Sequence, residues 1–279
     1  MSPKHRTGRV RSTRPIHWHT LVPGLLGPGR AVVDLGANIG LFCREILRDF
    51  RCTVYAVEPD PELRALIPRG PRVNVLGYAI AAGRGVATLA ISDNRLGATI
   101  LPTDSGAVRT RMEVETLGIA DLIEGYVKEP IGVIKMDIEG AEIAALDAMP
   151  DELIERVPQF TVEFHDFNGR VPAAEVQRIV RRFQRLGYYY LRMSGVGHQD
   201  TLFVHRGTGV FDRIDYVLTK YIARYTRGGS RVLRRKLGLP PPGSPARGRA
   251  GGITVPAGVL AELEEGAPAE TPVGAGDRR

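Results

Sequence analysis

The chain has 279 residues, 43% of them hydrophobic and 25% charged, and a formal net charge of +7. This length and composition allow one large α/β domain with tails, or two small domains, and a substantial hydrophobic core. No apolar run reaches the roughly 18 residues that cross a bilayer, and no apolar segment follows the basic N-terminus, so we expect no transmembrane segment, no secretory signal and a cytoplasmic location.

The positive charge is concentrated at the two ends of the chain. Residues 1–14 hold five basic residues and residues 224–249 hold eight, in both cases without an acid, whereas residues 15–223 carry a net charge of −3. We therefore expect a disordered basic tail over 1–15, a folded domain over 16–225, and a basic, then Pro-, Gly- and Ala-rich disordered tail over 226–279. Solvated charge is the commoner explanation for such tails, and weak contact with an anionic membrane surface or with nucleic acid stays open.

Strands and helices alternate through the predicted domain. Residues 16–30, with His17, Trp18 and His19 before a Pro- and Gly-rich turn, could form a lid over a site. The predicted elements that follow are strand Ala31–Leu35, helix 39–50, strand Thr53–Val57, helix 60–67, strand Arg72–Leu76, extended segment Val86–Ser92, strand Ile131–Met136, helix 140–148, strand Gln159–Phe164, helix 173–186, and strands Tyr188–Met193 and Thr201–His205. Residues 93–112 are predicted to be irregular and mobile, and hydrophobic periodicity predicts a last helix over 210–225.

These units predict an α/β fold with a doubly wound, Rossmann-like sheet, mostly parallel with an antiparallel edge. Ligands of such sheets bind beyond the carboxyl ends of the strands. The acids and the histidine at the predicted strand ends are therefore the candidate site residues. Cys43 and Cys52, the only cysteines, have no metal-binding or redox spacing and are interpreted as buried thiols.

The most informative stretch follows the first predicted strand. It reads D-x-G-x-N-x-G, with Asp34, Gly36, Asn38 and Gly40, and is typical of a strand that ends in a tight loop before a helix. Such a loop lets a nucleotide-like ligand lie against backbone. A pyrophosphate would need G-x-G-x-x-G and would be repelled by Asp34, whereas the ammonium and sulfonium groups of S-adenosylmethionine (SAM) would be attracted.

Glu58 ends the next strand in the sequence V-E-P. A carboxylate there can accept two hydrogen bonds from a ribose diol. The same residue would suit NAD, or could be a surface carboxylate at a strand end. Glu58 therefore favours a nucleoside ligand, and only the loop before it distinguishes SAM from a dinucleotide.

Two further blocks place chemistry at strand ends. In K-M-D-I-E-G-A-E, Asp137 and Glu139 would share a face, with Glu142 in the first turn of the next helix. Such close acids are often functional, although capping and a salt bridge to Lys135 would also explain them. In V-E-F-H, Glu163 and His165 could face the same cleft, with His165 as a base for a hydroxyl proton or as a structural histidine.

The order and spacing of these four blocks resemble the FkbM-type methyltransferase family, from about residue 30 to 205. The K-x-D-x-E-G-A-E block is the most specific part, and D-x-G-x-N-x-G is shared with many SAM enzymes. The resemblance implies a SAM-dependent O-methyltransferase domain that acts on hydroxyls of sugars, polyketides and related secondary metabolites. The sequence departs from the family pattern at Asp121, which stands without a second adjacent acid, and over 78–82, which lacks an acid near the adenine.

We therefore interpret the protein as an enzyme in which Asp34, Gly36, Asn38, Gly40 and Glu58 bind SAM. His165 is the predicted general base, Glu163 orients it or the acceptor, and Asp137 and Glu139 orient the acceptor hydroxyls or else hold a divalent cation. No residue is assigned as a metal ligand. The alternatives are a nucleic-acid methyltransferase that uses the basic tails, a SAM-binding module without catalysis, and an NAD oxidoreductase; the acceptor and the oligomeric state stay open.

Overall fold

A computed structural model describes residues 13–92, 98–100 and 108–221. Within these residues the strands are β1 (Arg14–Ile16), β2 (His19–Leu21), β3 (Ala31–Leu35), β4 (Thr53–Val57), β5 (Val73–Leu76), β6 (Ala79–Ile80), β7 (Gly85–Ser92), β8 (Ala98–Thr99), β9 (Val108–Leu117), β10 (Ile131–Met136), β11 (Gln159–Val162), β12 (Tyr188–Arg192) and β13 (Thr201–His205). The helices are α1 (Leu41–Phe50), α2 (Pro61–Ala65), α3 (Ile119–Tyr126), α4 (Glu142–Asp147), α5 (Asp151–Glu155) and α6 (Ala173–Arg185), and the chain is helical again over 213–221.

A seven-stranded sheet forms the centre of the domain, in the order β12-β13-β11-β10-β3-β4-β5. Strands β11, β10, β3, β4 and β5 run parallel, and β13 pairs antiparallel with both β11 and β12. The predicted doubly wound sheet with an antiparallel edge is therefore confirmed. The chain progresses outward from β3 to β5 and then returns to β10, so the strand order reverses between β3 and β10.

Alternating side chains of the central strands form two hydrophobic layers. On one face, Val32 and Val54 pack with Phe42 and Ile46 of α1. On the other face, Val33 and Leu35 belong to a larger cluster that α3 to α6 complete. A strand that is buried on both faces is apolar at most of its positions. The sequence therefore predicts β3 and β10, in which Asp34 and Lys135 are the only charged residues.

A second sheet, in the order β6-β9-β7-β8, was not predicted. Its long strand β9 includes residues 108–112, so the prediction of irregular, mobile structure over 93–112 is wrong for that part, while 93–97 and 101–107 lie outside the described residues. Charged residues alternate with Met112 and Val114 along β9. Those two side chains pack in a small apolar cluster with Leu89 of β7. The alternation is therefore that of a half-buried strand. The charged residues of the segment are typical of a loop, which explains the wrong prediction.

An antiparallel hairpin, β1–β2, precedes the main sheet. Its two-residue turn holds His17 and Trp18 at φ 38° and 70°, the left-handed conformation that tight hairpin turns require. Residues 14 and 15, which we assigned to the N-terminal tail, belong to β1. Ile16 and strand β2 are buried in the domain, whereas Trp18 at the turn is exposed.

The remaining predictions concern the ends of the chain and the cysteines. The helical segment 213–221 agrees with the predicted last helix, and residues 1–12 and 222–279, which include most of both tails, lie outside the described residues. Cys43 and Cys52 are buried and unpaired, as predicted. In the part of the chain that the structure describes, no helix has the length and apolar character needed to cross a membrane.

Candidate active site

The carboxyl ends of β3, β4 and β10 surround a cleft of about 630 Å³, part of which is open to solvent. This position, beside the reversal of strand order between β3 and β10, is where open α/β sheets bind ligands. Five of the residues predicted from sequence line the cleft: Gly36, Asn38, Glu58, Asp137 and Glu139. The other four, Asp34, Gly40, Glu163 and His165, do not line it.

Gly36 is required by a neighbouring loop. Its φ is +77°, and a Cβ built on it would lie 1.8 Å from the backbone oxygen of Asp137. The sequence interpretation attributed this glycine to close approach of a ligand. The contact shows that it lets the loop after β3 pass against the chain that leaves β10.

Gly40 has a packing role at the start of α1. It is the N-cap, at φ 80°, and a Cβ on it would lie 2.7 Å from Pro68. Asn38, between the two glycines, is also left-handed, at φ 52°. The glycine and asparagine positions of the motif therefore shape the loop, and its backbone forms one wall of the cleft.

Glu58 is fixed by backbone donors and faces the cleft. One carboxylate oxygen accepts from the N–H of Asn38 at 2.8 Å, and the other accepts from the N–H of Asp60 at 3.0 Å. Burial raises the pKa of Glu58 to about 7, although these two hydrogen bonds oppose the rise. Each carboxylate oxygen keeps a second lone pair for a ligand hydroxyl.

Asp34 is fully buried below the cleft and pairs with Lys135. The Lys135 Nζ lies 3.1 Å from Asp34 Oδ1 and donates to the backbone oxygen of Gly36 at 2.6 Å. Burial alone would lower the pKa of Lys135, but the charges of Asp34 and Asp137 outweigh it and raise that pKa. Asp34 therefore fixes the position of Lys135, which in turn binds the loop after β3 through the Gly36 oxygen. The carboxylate of Asp34 does not line the cleft.

The wall beside Glu58 is apolar and was missed by the sequence interpretation. Leu63, Tyr78, Ile80, Leu89 and Ile100 line it. These residues come from α2, the segment before β6, and the second sheet. Because that sheet was not predicted, the adenine contact was left without an assignment.

His165 lies in a network of carboxylates. Its Nδ1 is 2.9 Å from Glu142 Oε1, and its Nε2 is 3.2 Å from Glu139 Oε2. Ionised carboxylates only accept hydrogen bonds, so this arrangement favours a protonated imidazole that donates from both ring nitrogens. Burial opposes that charge, but the hydrogen bonds to Glu139 and Glu142 outweigh it and raise the pKa of His165 to about 10.

Glu139 and Glu142 reach His165 from the chain that follows β10. Glu142, fully buried in the first turn of α4, also accepts from the N–H groups of Ile138 and Gly140. Glu139 adopts a left-handed φ of 57° and pairs with Arg170. The acids therefore bind the turn before α4 and His165, while Lys135 pairs with Asp34 and lies 3.9 Å from Asp137.

A second histidine reaches the same acids from the β1–β2 hairpin. His19 is 2% exposed, and its Nε2 lies 4.0 Å from Asp137 Oδ2. One ligand atom from each of His19, Asp137 and Glu163 lies within 4.8 Å of the others. Burial lowers the pKa of His19 well below its usual range, and burial together with the charge of Asp137 raises the pKa of Glu163 to about 8.

The family model described as "Methyltransferase FkbM domain" matches residues 34–190. Among individual proteins, the chain is 27% identical over 180 residues to "Methyltransferase sdnD" of Sordaria araneosa, an alignment that covers 52% of this chain and 70% of that protein. The family-model match over 34–190 includes the loop after β3, Glu58 and the acids after β10 and β11. It leaves the β1–β2 hairpin, with His19, outside.

Two solved methyltransferase structures also align with the chain. The precorrin-6y C5,15-methyltransferase of Geobacter metallireducens GS-15 has 10% identity and a TM-score of 0.34, with 64% of this chain and 80% of that chain covered. The fibrillarin of Aeropyrum pernix, solved with SAM bound, has 10% identity and a TM-score of 0.33, with 64% and 66% covered.

Proposed function

The chain belongs to the FkbM methyltransferase family, and from this premise we propose that it transfers a methyl group from SAM to a hydroxyl group of a sugar, a polyketide or another secondary metabolite. The family establishes methyl transfer. The cofactor, the hydroxyl acceptor and the roles of individual residues are the proposal.

The observation that carries the assignment of SAM is the position of Glu58. Its carboxylate faces the cleft beside an apolar wall, and both of its oxygens are oriented by backbone N–H groups. A nucleoside needs a carboxylate next to an apolar surface, since its ribose hydroxyls donate to the carboxylate while its base packs on apolar side chains. Glu58, Leu63, Tyr78 and Ile80 would hold the adenosine.

The charge of the cleft supports the same cofactor. Glu58, Asp137 and Glu139 line it, and no lysine or arginine does so among the described residues. A dinucleotide would bring a doubly charged pyrophosphate to these acids, whereas SAM carries cationic ammonium and sulfonium groups. The loop backbone from Gly36 to Asn38 would face its amino-acid part.

When bound, SAM would supply an electrophilic methyl group for transfer to the acceptor oxygen, with the electron pair of the carbon–sulfur bond left on sulfur. The protein must align the oxygen with that carbon and receive the hydroxyl proton. We assign the proton to Asp137, which lines the cleft and has a pKa raised mainly by burial. Glu139 and Glu163 would orient the other polar groups of the acceptor.

We propose for His165 a role that differs from the predicted general base. A protonated imidazole held between two carboxylates cannot accept a proton from a hydroxyl. Its Nε2 lies 3.8 Å from Asp137 Oδ1, so its charge stabilises the ionised form of Asp137. We therefore propose His165 as a positioning residue and transfer the role of general base to Asp137.

The test separates cofactor binding from catalysis. The full chain is incubated with methyl-labelled SAM and a panel of hydroxylated sugars and polyketides, and products are identified by mass spectrometry. Asp137→Asn should lower kcat by roughly a hundredfold or more with little change in SAM affinity, because it removes the proton acceptor and leaves Glu58 and the apolar wall in place. Glu58→Gln should instead weaken SAM binding in calorimetry, and exposed Glu152→Gln should change neither.

The outcomes are distinct. Labelled O-methyl products with this pattern of variants support the proposal. Binding of SAM without transfer to any hydroxyl would favour a SAM-binding module, and transfer to nitrogen or carbon would contradict the acceptor class. Full activity of Asp137→Asn would remove Asp137 from the mechanism.

A further inference from the structure

The β1–β2 hairpin contributes a buried histidine to the cluster of acids at the end of β10. The hairpin lies before the residues that the family model matches, 34–190. It is held in place by two hydrogen bonds from Thr20 to the carboxylate of Asp200, at 3.0 and 2.6 Å. This docking places His19 next to Asp137, 118 residues later in the chain.

The two nitrogens of His19 have different surroundings. Nδ1 lies 3.5 Å from Thr161 Oγ1. Nε2 makes no hydrogen bond with any residue in the described part of the chain, and it points toward Asp137 Oδ2 at 4.0 Å. That distance is too long for a hydrogen bond, so a ring nitrogen of a side chain that is 2% exposed has no hydrogen-bond partner among the described residues and lies near the carboxyl groups of Asp137 and Glu163.

The cluster also has more negative than positive groups. Among the described residues that form the ion pairs and the candidate ligand set around Asp137, five carboxyl groups face three cationic groups, so acidic groups outnumber cationic groups by two. The carboxylates are those of Asp34, Asp137, Glu139, Glu142 and Glu163, and the cations are Lys135, His165 and Arg170. A divalent cation would balance them.

We propose that His19, Asp137 and Glu163 bind one divalent transition-metal ion of the Mn²⁺, Fe²⁺ or Zn²⁺ class. An imidazole with two carboxylates is a ligand set that such ions accept, and three protein ligands leave positions open. Bonds of roughly 2.0–2.2 Å put two ligand atoms on one ion at most roughly 4.4 Å apart. The three atoms already lie within 4.8 Å of one another, so small rotations of the side chains complete the site.

The neighbouring set of Asp137, Glu139 and His165 is also within 4.8 Å, but it is a poorer site. Both nitrogens of His165 are engaged by carboxylates, and Glu139 is neutralised by Arg170. A ligand imidazole must offer a lone pair, and only His19 has a nitrogen that does so. The carboxylate oxygens of Asp137 face different ways, Oδ2 toward His19 and Oδ1 toward His165.

The role of the ion rests on the proposed function, whereas its binding does not. An open position on the ion would receive the acceptor hydroxyl and lower its pKa. Asp137 would hold the ion through Oδ2 and take the proton at Oδ1. The N-terminal hairpin would then select acceptors whose hydroxyl can reach the ion.

The test uses Mn²⁺ alone, with the full chain and without SAM or an acceptor. Titration followed by electron paramagnetic resonance should show one saturable site per chain. The bound ion should also show coupling to one imidazole nitrogen in electron spin echo envelope modulation. His19→Gln, which retains a polar side chain in the buried site, should abolish the nitrogen coupling and weaken Mn²⁺ binding at least about tenfold.

Two further variants make the result independent of folding. Glu163→Gln should weaken Mn²⁺ binding to a similar extent and keep the nitrogen coupling, and His17→Asn, on the same hairpin, should change neither. Circular dichroism checks that each variant is folded. The proposal is overturned if the wild-type chain has no saturable site, if folded His19→Gln binds Mn²⁺ as well as the wild type, or if the nitrogen coupling depends on His165 instead. Mn²⁺ binding without methyl transfer would refute only the proposed function.

Discussion

Gly36 and Gly29 share a backbone conformation and differ in their surroundings. Both have φ of +77°, but a Cβ on Gly29 would meet nothing within 4 Å, whereas one on Gly36 would overlap the backbone oxygen of Asp137. Comparing the two glycines therefore separates the free energy that a left-handed backbone costs from the free energy that a steric clash costs.

Replacing each glycine by alanine gives the first prediction. Gly29→Ala should lower the free energy of unfolding by roughly 1–2 kcal/mol, the cost of the conformation alone. Gly36→Ala should lower it by at least about 2 kcal/mol more, because a backbone atom cannot move aside as a flexible side chain can. Urea unfolding followed by circular dichroism measures both, and equal losses would show that the Asp137 contact relaxes at little cost.

Glu58 should make the stability of the fold depend on pH. Its pKa is about 7 when folded against an ordinary value of 4.5, so between these pH values the folded state holds a proton that the unfolded state has lost. The free energy of unfolding should therefore fall as pH rises from 4.5 to 7, by roughly 3 kcal/mol from this residue.

Glu58→Gln tests this directly, since glutamine does not titrate. The variant is expected to be less stable overall, because its amide N–H₂ faces a backbone N–H, but the decline between pH 4.5 and 7 should be largely absent from its unfolding curves. Exposed Glu152→Gln is the control and should keep the wild-type slope. A wild-type slope in Glu58→Gln would mean that other groups cause the pH dependence.

From the sequence it was possible to predict which side chains lie near the site, but not which partners those side chains contact. The strand-end rule brought Glu58, Asp137 and Glu139 to one cleft, as the structure does. It could not show that Asp34 would be closed off by Lys135, a partner 101 positions away. It also gave His19 no role beyond a lid, because only the docking of the hairpin reveals which acids that side chain faces.

The β1–β2 hairpin depends on buried polar ties to the main sheet. After β2, the N–H of Val22 donates to the side chain of Gln159 at 2.7 Å, and the Gln159 amide donates to the backbone oxygens of Val22 and Gly132 at 3.2 Å. Gln159 is fully buried in β11. The Val22 oxygen also accepts from the N–H of Leu25 at 3.2 Å, so two backbone groups, the Val22 N–H and the Gly132 oxygen, rely on this side chain.

Gln159→Leu should lower the free energy of unfolding by several kcal/mol. It conserves size but removes the side-chain partner of the Val22 N–H and of the Gly132 backbone oxygen, at roughly 1–3 kcal/mol for each group, whereas the Val22 oxygen keeps its hydrogen bond from the N–H of Leu25. Exposed Gln184→Leu on α6 is the matched control and should stay within about 0.5 kcal/mol. Urea unfolding provides the comparison, and a stable Gln159→Leu would show that the hairpin holds its position without this residue.

Among the elements, those with a continuous apolar pattern were predicted most accurately. Strands β3, β4, β10 and β13 have the predicted bounds. Helix α1 begins two residues late because left-handed Gly40 caps it. The second sheet was missed because β9 pairs with β7 and β6 across intervening segments, and pairing of that kind leaves little local signal beyond weak alternation.

On the scale of the molecule, the repeated strand–helix units sufficed to predict the central sheet, because a parallel sheet requires helices that cover both faces. The reversal of strand order between β3 and β10 then brings the loop after one strand against the loop after the other. The contact between Gly36 and Asp137 places the loop after β3, which forms the wall of the proposed SAM site, next to the acids of the proposed acceptor site. The net charge of +7, in contrast, belongs mainly to the tails and says little about the cleft.

The acidic cleft should distinguish SAM from a dinucleotide through the stability of the whole chain. A ligand that binds only the folded state at 100 times its Kd adds about 2.7 kcal/mol, which corresponds to a rise in Tm of roughly 5–10 °C for a domain of this size. SAM should produce this rise in differential scanning fluorimetry. NADH should produce none at the same concentration, because its pyrophosphate would face Glu58, Asp137 and Glu139 without a lysine or arginine among the described lining residues. A larger rise with NADH than with SAM would contradict the charge argument and would favour the dinucleotide alternative that the Glu58 carboxylate alone leaves open.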